Sequence, residues 1–255
     1  MMQSTERPPE GAAGQTELRL RGSTLSGPGL SRLRRLWRRR SWRVSRRTLG
    51  CLVAGAAAAL AAGTAVSHMP MRDRVRIEAT IRSNFTRAPV LAIGDSITYE
   101  AAPGHLCGAR VFNAAVPGDR LSDLLAEAPD FAVRLAPERV VIAIGINDSL
   151  PPHPDIAQWA DDYRTLVALF AGRDLVLVEI NPVDPRISSF VTQLDQDFIQ
   201  RANAVIRDIA AETGAHVVPA PREVITRDGL HPTPAGAALW RARLSEAACS
   251  VKVAR

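Results

Sequence analysis

The last two thirds of the chain alternate short apolar runs with longer amphipathic stretches, and this alternation is what most limits its possible fold. Five runs rich in Val, Ile and Leu have the length of strands: Pro89–Ile93, Arg110–Ala115, Arg139–Ile144, Leu175–Ile180 and His216–Val218. Runs that are apolar on both faces are typical of a parallel sheet buried between helices. The pattern therefore predicts a three-layer α/β/α sandwich with a five-stranded parallel sheet.

Helices are predicted in the stretches that separate and follow these strands. Their bounds are Leu121–Leu135, with a break near Pro129, then Ile156–Phe170, Ser189–Thr213 and Pro234–Ala248. Thr233 is a suitable N-cap for the last of them, because Pro234 then takes the first helical position. Ligands of such sheets bind at the carboxyl ends of the strands, so functional side chains are expected directly after the strands.

Four segments meet this expectation. Ser96 follows the first strand, Gly118 follows the second and Asn147 follows the third. A later loop contains Asp228-Gly229-Leu230-His231, where a spacing of three residues in one tight turn can bring a carboxylate against an imidazole. Each segment alone is weak evidence, but their common placement at one edge of the sheet predicts an active site.

These residues resemble the SGNH hydrolases, also called the GDSL-like lipase/acylhydrolase family, over roughly residues 89–248. The resemblance rests on Gly94-Asp95-Ser96, with Ile97 where the family name has Leu, and on Gly118, Gly145-Ile146-Asn147-Asp148, Asp228 and His231. It implies the flavodoxin-like SGNH hydrolase fold and an enzyme that hydrolyses esters. It does not indicate the substrate, since the family acts on lipids, acetylated sugars and thioesters.

The resemblance also implies roles for the individual residues. Ser96 is the expected nucleophile, His231 its general base and Asp228 the carboxylate that orients the imidazole. The backbone N–H groups of Ser96 and Gly118 and the side-chain amide of Asn147 are expected to form an oxyanion hole. This chemistry requires no metal and no organic cofactor.

The leading functional hypothesis is a serine esterase that acts outside the cytoplasm, on short acyl groups such as O-acetyl on carbohydrate. An O-acyltransferase would use the same Ser-His-Asp set, and the sequence does not separate the two. A non-catalytic binding protein on this fold is the remaining alternative. Loss of Ser96, Asn147 or His231 would have favoured it, and all three are present.

The positive charge of the chain belongs to its first residues. Residues 1–47 contain 12 Arg and 3 Glu, a net charge of +9, so the remaining chain has a net charge of −3 within the total of +6. The mildly acidic domain is a poor candidate for a nucleic-acid groove, and no nucleic-acid partner is expected. The Arg/Trp stretch at residues 32–47 is more typical of contact with anionic lipid than of an RNA-binding arm.

Residues 48–67 carry no charge and have about the length that crosses a ~30 Å hydrocarbon core. With arginine before it, the segment predicts either a retained single-pass anchor in the inner membrane or a cleaved twin-arginine-type signal that releases the domain to the periplasm. Arg46-Arg47 and Ala65-Val66-Ser67 suit the second reading. Both readings place the domain outside the cytoplasm.

The expected organisation is a disordered basic cytoplasmic tail (1–47), the anchor or signal (48–67), a connector (68–87) and the hydrolase domain (88–255). Of the three cysteines, Cys107 and Cys249 belong to the domain. An exported domain folds where thiols tend to pair. Cys107 precedes the second strand and Cys249 follows the last helix, elements that can be neighbours in this fold. We therefore predict a disulfide between them.

Overall fold

The computed structural model of the protein describes residues 46–250. All but the last two residues of the predicted basic tail, and with them most of the Arg/Trp stretch, lie outside these described residues. The first described element is a single helix, α1 (Arg46–Ser67), which contains the whole uncharged segment. The remaining elements belong to a second compact unit.

None of the helices within residues 46–250 combines the length and the apolar character needed to cross a membrane. The predicted transmembrane anchor is therefore not supported, although its segment is helical as expected. Ala and Gly account for 8 and 3 of the 20 residues in 48–67. These small residues bury little apolar surface and so make a weakly hydrophobic helix.

A six-stranded sheet forms the centre of the second unit. Its strands are β1 (Val90–Gly94), β2 (His105–Leu106), β3 (Ala109–Asn113), β4 (Arg139–Ala143), β5 (Asp174–Val178) and β6 (His216–Val218). They lie in the order β2-β3-β1-β4-β5-β6, and every pair is parallel except β2 with β3. The five predicted strands are confirmed, and their order is the flavodoxin-like one. The two-residue strand β2 was not predicted, because it is too short to show a period.

Helices cover both faces of the sheet. They are α2 (Met71–Ser83), α3 (Ser96–Ala101), α4 (Leu121–Leu135), α5 (Ile156–Ala168), α6 (Gln196–Thr213) and α7 (Pro234–Cys249). The helices α2, α4, α5 and α6 pack side by side in that order, whereas α3 packs against α7. The predicted α/β/α sandwich is therefore confirmed.

Two predicted helices differ from the observed ones. The helix expected over Ser189–Thr213 is divided into a 3-10 turn (Ser189–Gln193) and α6, because the Asp195 side chain accepts hydrogen bonds from the first turn of α6 and starts a new helix there. The expected break near Pro129 is absent, and α4 is continuous. Proline costs this helix a backbone hydrogen bond, but its apolar side remains buried against the sheet through Leu124, Ala128 and Phe131.

Most of the segment expected to be a connector forms helix α2. Its residues Ala79 and Ser83 are buried, and the helix packs against α4. The second compact unit therefore begins well before the first strand, at Ala62.

The predicted disulfide between Cys107 and Cys249 is present, with a Cα–Cα distance of 5.4 Å. It joins the turn between β2 and β3 to the last residue of α7. Cys107 precedes β3, so the bond lies at the amino ends of the parallel strands, away from the edge where Ser96 follows β1. Cys51, the third cysteine, is exposed and not bonded.

Replacing both disulfide cysteines by serine is expected to lower the free energy of unfolding by about 2–5 kcal/mol, because the crosslink limits the conformations of the unfolded chain. Thermal unfolding of wild type and of Cys107→Ser/Cys249→Ser would measure this. Cys51→Ser is the matched control and should leave the midpoint in place. Equal midpoints for wild type and the double variant would contradict the stabilising role.

Candidate active site

Three neighbouring strands end at one edge of the sheet, where the candidate residues follow them. The central strand β1 pairs with β3 on one side and with β4 on the other. Because all three are parallel, their carboxyl ends meet, and the segments after them contain Ser96, Gly118 and Asn147. The predicted edge is thus the observed one.

Ser96 occupies the first position of helix α3, directly after β1. The preceding Asp95 caps this helix, since its side chain accepts a hydrogen bond from the N–H of Ile97 at 2.9 Å. Backbone N–H groups in a first helical turn lack intrahelical partners, and the N–H of Ser96 is one of them. The Ser96 residue is only 9% exposed. Its N–H and hydroxyl are therefore held in a sheltered position at the sheet edge.

Gly118 lies in a tight turn after β3. The N–H of Asp119 donates to the carbonyl of Val116 at 3.2 Å, Pro117 takes the second position, and Gly118 takes the third with φ 84°. This is a type II turn, whose third position requires a positive φ and so favours glycine. A Cβ at Gly118 would have no atom within 4 Å. The backbone conformation, rather than space, requires a glycine here.

Asn147 begins a short 3-10 turn (Asn147–Ser149) after β4. Its side-chain nitrogen donates to the backbone carbonyl of Asp119 at 2.9 Å. An amide nitrogen has two hydrogens, so one hydrogen fixes Asn147 against the Gly118 turn and the other is free to bind a ligand. The structure thus links two of the three expected oxyanion donors, Asn147 and Gly118, through Asp119.

A closed loop between β6 and α7 positions His231. The Thr233 side chain caps α7 through the N–H of Gly236 at 3.2 Å, and its backbone N–H donates to the carbonyl of Ile225 at 3.0 Å. Inside the loop, the N–H of Arg227 donates to the carbonyl of His231 at 3.0 Å. These bonds hold the predicted Asp-x-x-His turn on the helix that follows it.

The structure brings Ser96, Asp228 and His231 into one hydrogen-bonded row. His231 Nε2 lies 3.0 Å from Ser96 Oγ, and His231 Nδ1 lies 2.7 Å from Asp228 Oδ2. The carboxylate is an acceptor only, so it assigns the imidazole proton to Nδ1 and leaves Nε2 to accept the serine hydroxyl. Burial raises the pKa of Asp228, but hydrogen bonds from His231 and Leu230 outweigh it and hold that pKa below its usual value.

Two other carboxyl groups flank the candidate residues in the sequence and bind backbone. Asp148 accepts from the N–H of Leu121 with both oxygens at 3.2 Å, and Asp95 caps α3. Both are buried. Burial raises the pKa of Asp95 to about 7 and that of Asp148 to about 6. These groups organise the segments that carry Ser96 and Asn147.

An ion pair that was not predicted connects the nucleophile helix to the histidine loop. Arg227, which directly precedes Asp228, donates to both oxygens of Glu100 on α3 at 2.6 and 2.7 Å. The same guanidinium donates to the carbonyl of Pro232 at 3.1 Å. Bidentate pairs of this kind fix geometry more firmly than single contacts. Glu100–Arg227 therefore holds the element with Ser96 against the loop with His231.

His153, which follows the Gly145–Asp148 segment, is partly exposed and does not take part in the row of Ser96, His231 and Asp228. Its Nε2 lies 3.2 Å from an Asp195 carboxylate oxygen, and its ring packs against Phe198. Within residues 46–250, no cluster of three or more His, Cys, Asp and Glu side chains is arranged to hold a metal ion.

A serine held by histidine and carboxylate, at the carboxyl edge of a parallel α/β sheet, defines a serine hydrolase-type site. A family model of the GDSL-like lipase/acylhydrolase family matches residues 92–239. The chain belongs to this family and is a hydrolase acting on ester bonds. No curated protein matches the sequence.

Solved structures share the fold at low sequence identity. A lipase/acylhydrolase from Enterococcus faecalis is 22% identical, with a TM-score of 0.54, over 63% of this chain and 94% of that one. An acetyl xylan esterase is 17% identical, with a TM-score of 0.53, over 62% and 98%. An acetylxylan esterase from Geobacillus stearothermophilus is 19% identical, with a TM-score of 0.51, over 64% and 94%. These similarities confirm the fold.

Glu100→Gln is expected to loosen the loop of residues 225–233, because Arg227 loses its charged partner. A partly exposed pair is worth about 1 kcal/mol, so amide hydrogen exchange in the loop should accelerate about fivefold. Glu212→Gln removes a similar pair with Arg164 elsewhere and is the matched control. The reversed pair Glu100→Arg/Arg227→Glu should slow the exchange again. Unchanged hydrogen exchange in Glu100→Gln would show that the Glu100–Arg227 ion pair does not hold the loop.

Proposed function

We propose that this protein is a serine esterase that acts outside the cytoplasm and hydrolyses short-chain carboxylic esters, such as O-acetyl groups on carbohydrate, through an acyl-enzyme on Ser96. The observation that carries the proposal is the 3.0 Å contact between His231 Nε2 and Ser96 Oγ. It places a general base within hydrogen-bond reach of the only hydroxyl in the row.

In the first half of the reaction, Ser96 Oγ attacks the ester carbonyl while His231 Nε2 takes its proton. Asp228 keeps the imidazole in the required tautomer and stabilises the imidazolium that forms. The C–O bond to the leaving alcohol then breaks, and His231 returns the proton to that oxygen. The acyl group remains on Ser96.

The negative oxygen of the tetrahedral intermediate needs donors that are already in place. The N–H of Ser96 lies at the start of α3, the N–H of Gly118 belongs to the type II turn, and Asn147 has a free amide hydrogen. Each such donor contributes about 3–4 kcal/mol to lowering the barrier. Water, activated by His231, attacks the acyl-enzyme in the second half and releases the acid.

Two observations favour a small acyl group on a polar substrate. The segment after the nucleophile is short, since six-residue α3 is followed within a few residues by β2, and it offers no long apolar lid. Structures with the same fold include enzymes described as acetyl xylan esterases. On this proposal, p-nitrophenyl acetate should be turned over faster than the octanoate, and faster octanoate turnover would argue for a lipase.

The location outside the cytoplasm is supported by the Cys107–Cys249 disulfide, since disulfides persist in oxidising compartments. The nine arginines of residues 32–47, followed by the uncharged residues 48–67, are the expected export signal. Residues 1–70 fused to a reporter that is active only after export should give activity in cells. Activity lost on replacing Arg46-Arg47 by Lys-Lys would identify the twin-arginine route, and an inactive fusion would contradict export.

Ser96→Ala is expected to abolish both p-nitrophenyl acetate turnover and labelling by a fluorophosphonate, because the nucleophilic oxygen is lost. Asn147→Ala should lower kcat by about 10²- to 10³-fold with a small change in KM, because one oxyanion donor is lost. Steady-state kinetics and intact-mass analysis of the full chain measure both effects.

Ser189→Ala, at an exposed serine in a 3-10 turn, serves as the matched control and should retain wild-type turnover and labelling. Full turnover by Ser96→Ala would exclude the proposed nucleophile. A folded wild-type protein that neither hydrolyses esters nor reacts with the probe would exclude the esterase proposal as a whole.

A further inference from the structure

Asp119 connects the two oxyanion donors that lie outside the nucleophile helix. Its N–H closes the turn that holds Gly118, and its carbonyl accepts from the Asn147 side chain. A displacement of Asp119 would therefore move the Gly118 N–H and the Asn147 amide together. Whatever fixes the Asp119 side chain also fixes this part of the site.

Two arginines of helix α2 fix that side chain. Arg72 Nε donates to Asp119 Oδ1 at 3.1 Å, and an Arg76 terminal nitrogen donates to the same oxygen at 3.0 Å. They are one turn apart on the helix, so both face the same surface. Arg72 also pairs with Asp123, and Arg76 with Glu127, both on α4. The arginines thus join α2 to the Gly118 turn and to the helix after it.

The charge of Asp119 depends on these arginines. Its side chain has no exposed surface, and Oδ2 finds no hydrogen-bond partner among the described residues. Burial and the negative charges of Glu127 and Asp123 raise the pKa of Asp119 to about 7, against the opposing effect of the two arginines. Asp95 is a further nearby acid. Without the arginines, an ionised Asp119 would be buried beside carboxylates alone, which is strongly unfavourable.

We propose that Arg72 and Arg76 are positioning residues for the oxyanion hole, because they neutralise Asp119 and so hold the Gly118 N–H and the Asn147 amide in place. The inference rests on the esterase function proposed above. Both arginines precede residues 92–239, the part of the chain that matches the family model. They lie on helix α2, outside the matched residues.

The test compares Arg72→Gln/Arg76→Gln with wild type in ester hydrolysis across pH 6–9, using the full chain. At pH 8 we expect kcat to fall at least tenfold with KM within about twofold, since the hole contacts the transition state more than the substrate. The loss should stay below the about 10²- to 10³-fold effect of removing a donor.

The pH dependence distinguishes positioning from a general loss of structure. Glutamine at positions 72 and 76 removes the charges that favour ionised Asp119, so the pKa of Asp119 rises further. As the pH rises past about 7, wild-type Asp119 ionises and is held by the two arginines, whereas Asp119 of the double variant stays protonated. The ratio of variant to wild-type kcat should therefore be close to one near pH 6, where Asp119 is protonated in both proteins, and fall as the pH rises. A ratio that is low and constant with pH would overturn the proposal.

Adding Asp119→Asn to the double variant makes residue 119 neutral at every pH while keeping the backbone contacts. We expect this triple variant to have the same kcat at pH 8 as the double variant, because residue 119 is neutral in both proteins, and a wild-type kcat would contradict the charge argument. The triple variant also provides a folded protein if the double variant is unstable. Arg74→Gln, at an exposed position of the same helix, is the matched control and should behave like wild type.

A second readout does not depend on activity. The side-chain amide signals of Asn147, identified by their absence in Asn147→Asp, should shift in the NMR spectrum of the double variant and remain in place in Arg74→Gln. If the Asn147 signals shift in the double variant but wild type shows no Ser96-dependent turnover, the positioning role of Arg72 and Arg76 is supported and the esterase function is rejected. Unshifted signals, or wild-type kcat at pH 8, would reject the positioning role while Ser96-dependent turnover upheld the esterase.

Discussion

The parallel pairing of β1 with strands on both of its sides is the constraint on which the rest of the site depends. Val90 lies opposite Val111 of β3 and opposite Arg139 of β4, so the three strands run in register towards the same edge. Beyond β3, the N–H groups of Ala114 and Val116 continue to bond the carbonyls of Ala92 and Gly94. A shift of one residue in this register would separate the Gly118 turn from Ser96.

Buried carboxyl groups connect this edge to the helices around it. Asp95, Asp119 and Asp148 each adjoin a candidate site residue in the sequence, and each binds backbone or arginine rather than solvent. A buried carboxyl group is costly unless it is hydrogen-bonded or paired. Each of them is therefore tolerated only when its own segment is correctly placed, which couples the geometry of the site to the packing of α2, α3 and α4.

The parts of the structure that could be predicted from the sequence are those determined by local patterns. Apolar runs gave the five parallel strands, and the motif residues gave the row of Ser96, Asp228 and His231. The two ion pairs that were not predicted join residues that are far apart in the sequence. Glu100 and Arg227 are 127 residues apart, and Arg76 and Asp119 are 43 apart. The pairing of the α2 arginines with Asp119 had one local indication. Arg72 and Arg76 are four residues apart, as are Asp119, Asp123 and Glu127.

The predicted transmembrane segment is a case in which a local pattern predicted a feature that the structure does not support. The absence of charge and the correct length were visible in residues 48–67, but Ala and Gly make a weakly apolar helix, and no helix in the described residues meets the requirement for a membrane span. The disulfide was predictable only by combining the expected compartment with the expected fold, because its cysteines are 142 residues apart.

We propose that Ser96 reacts within a preformed site in which Gly118 and Asn147 stabilise the oxyanion. A crystal structure of the protein inactivated by a p-nitrophenyl phosphonate tests it most directly. We expect a bond from phosphorus to Ser96 Oγ, with the phosphoryl oxygen within about 3 Å of the N–H groups of Ser96 and Gly118 and of Asn147 Nδ2. A phosphonate on another residue, or a phosphoryl oxygen directed into solvent away from these donors, would contradict it.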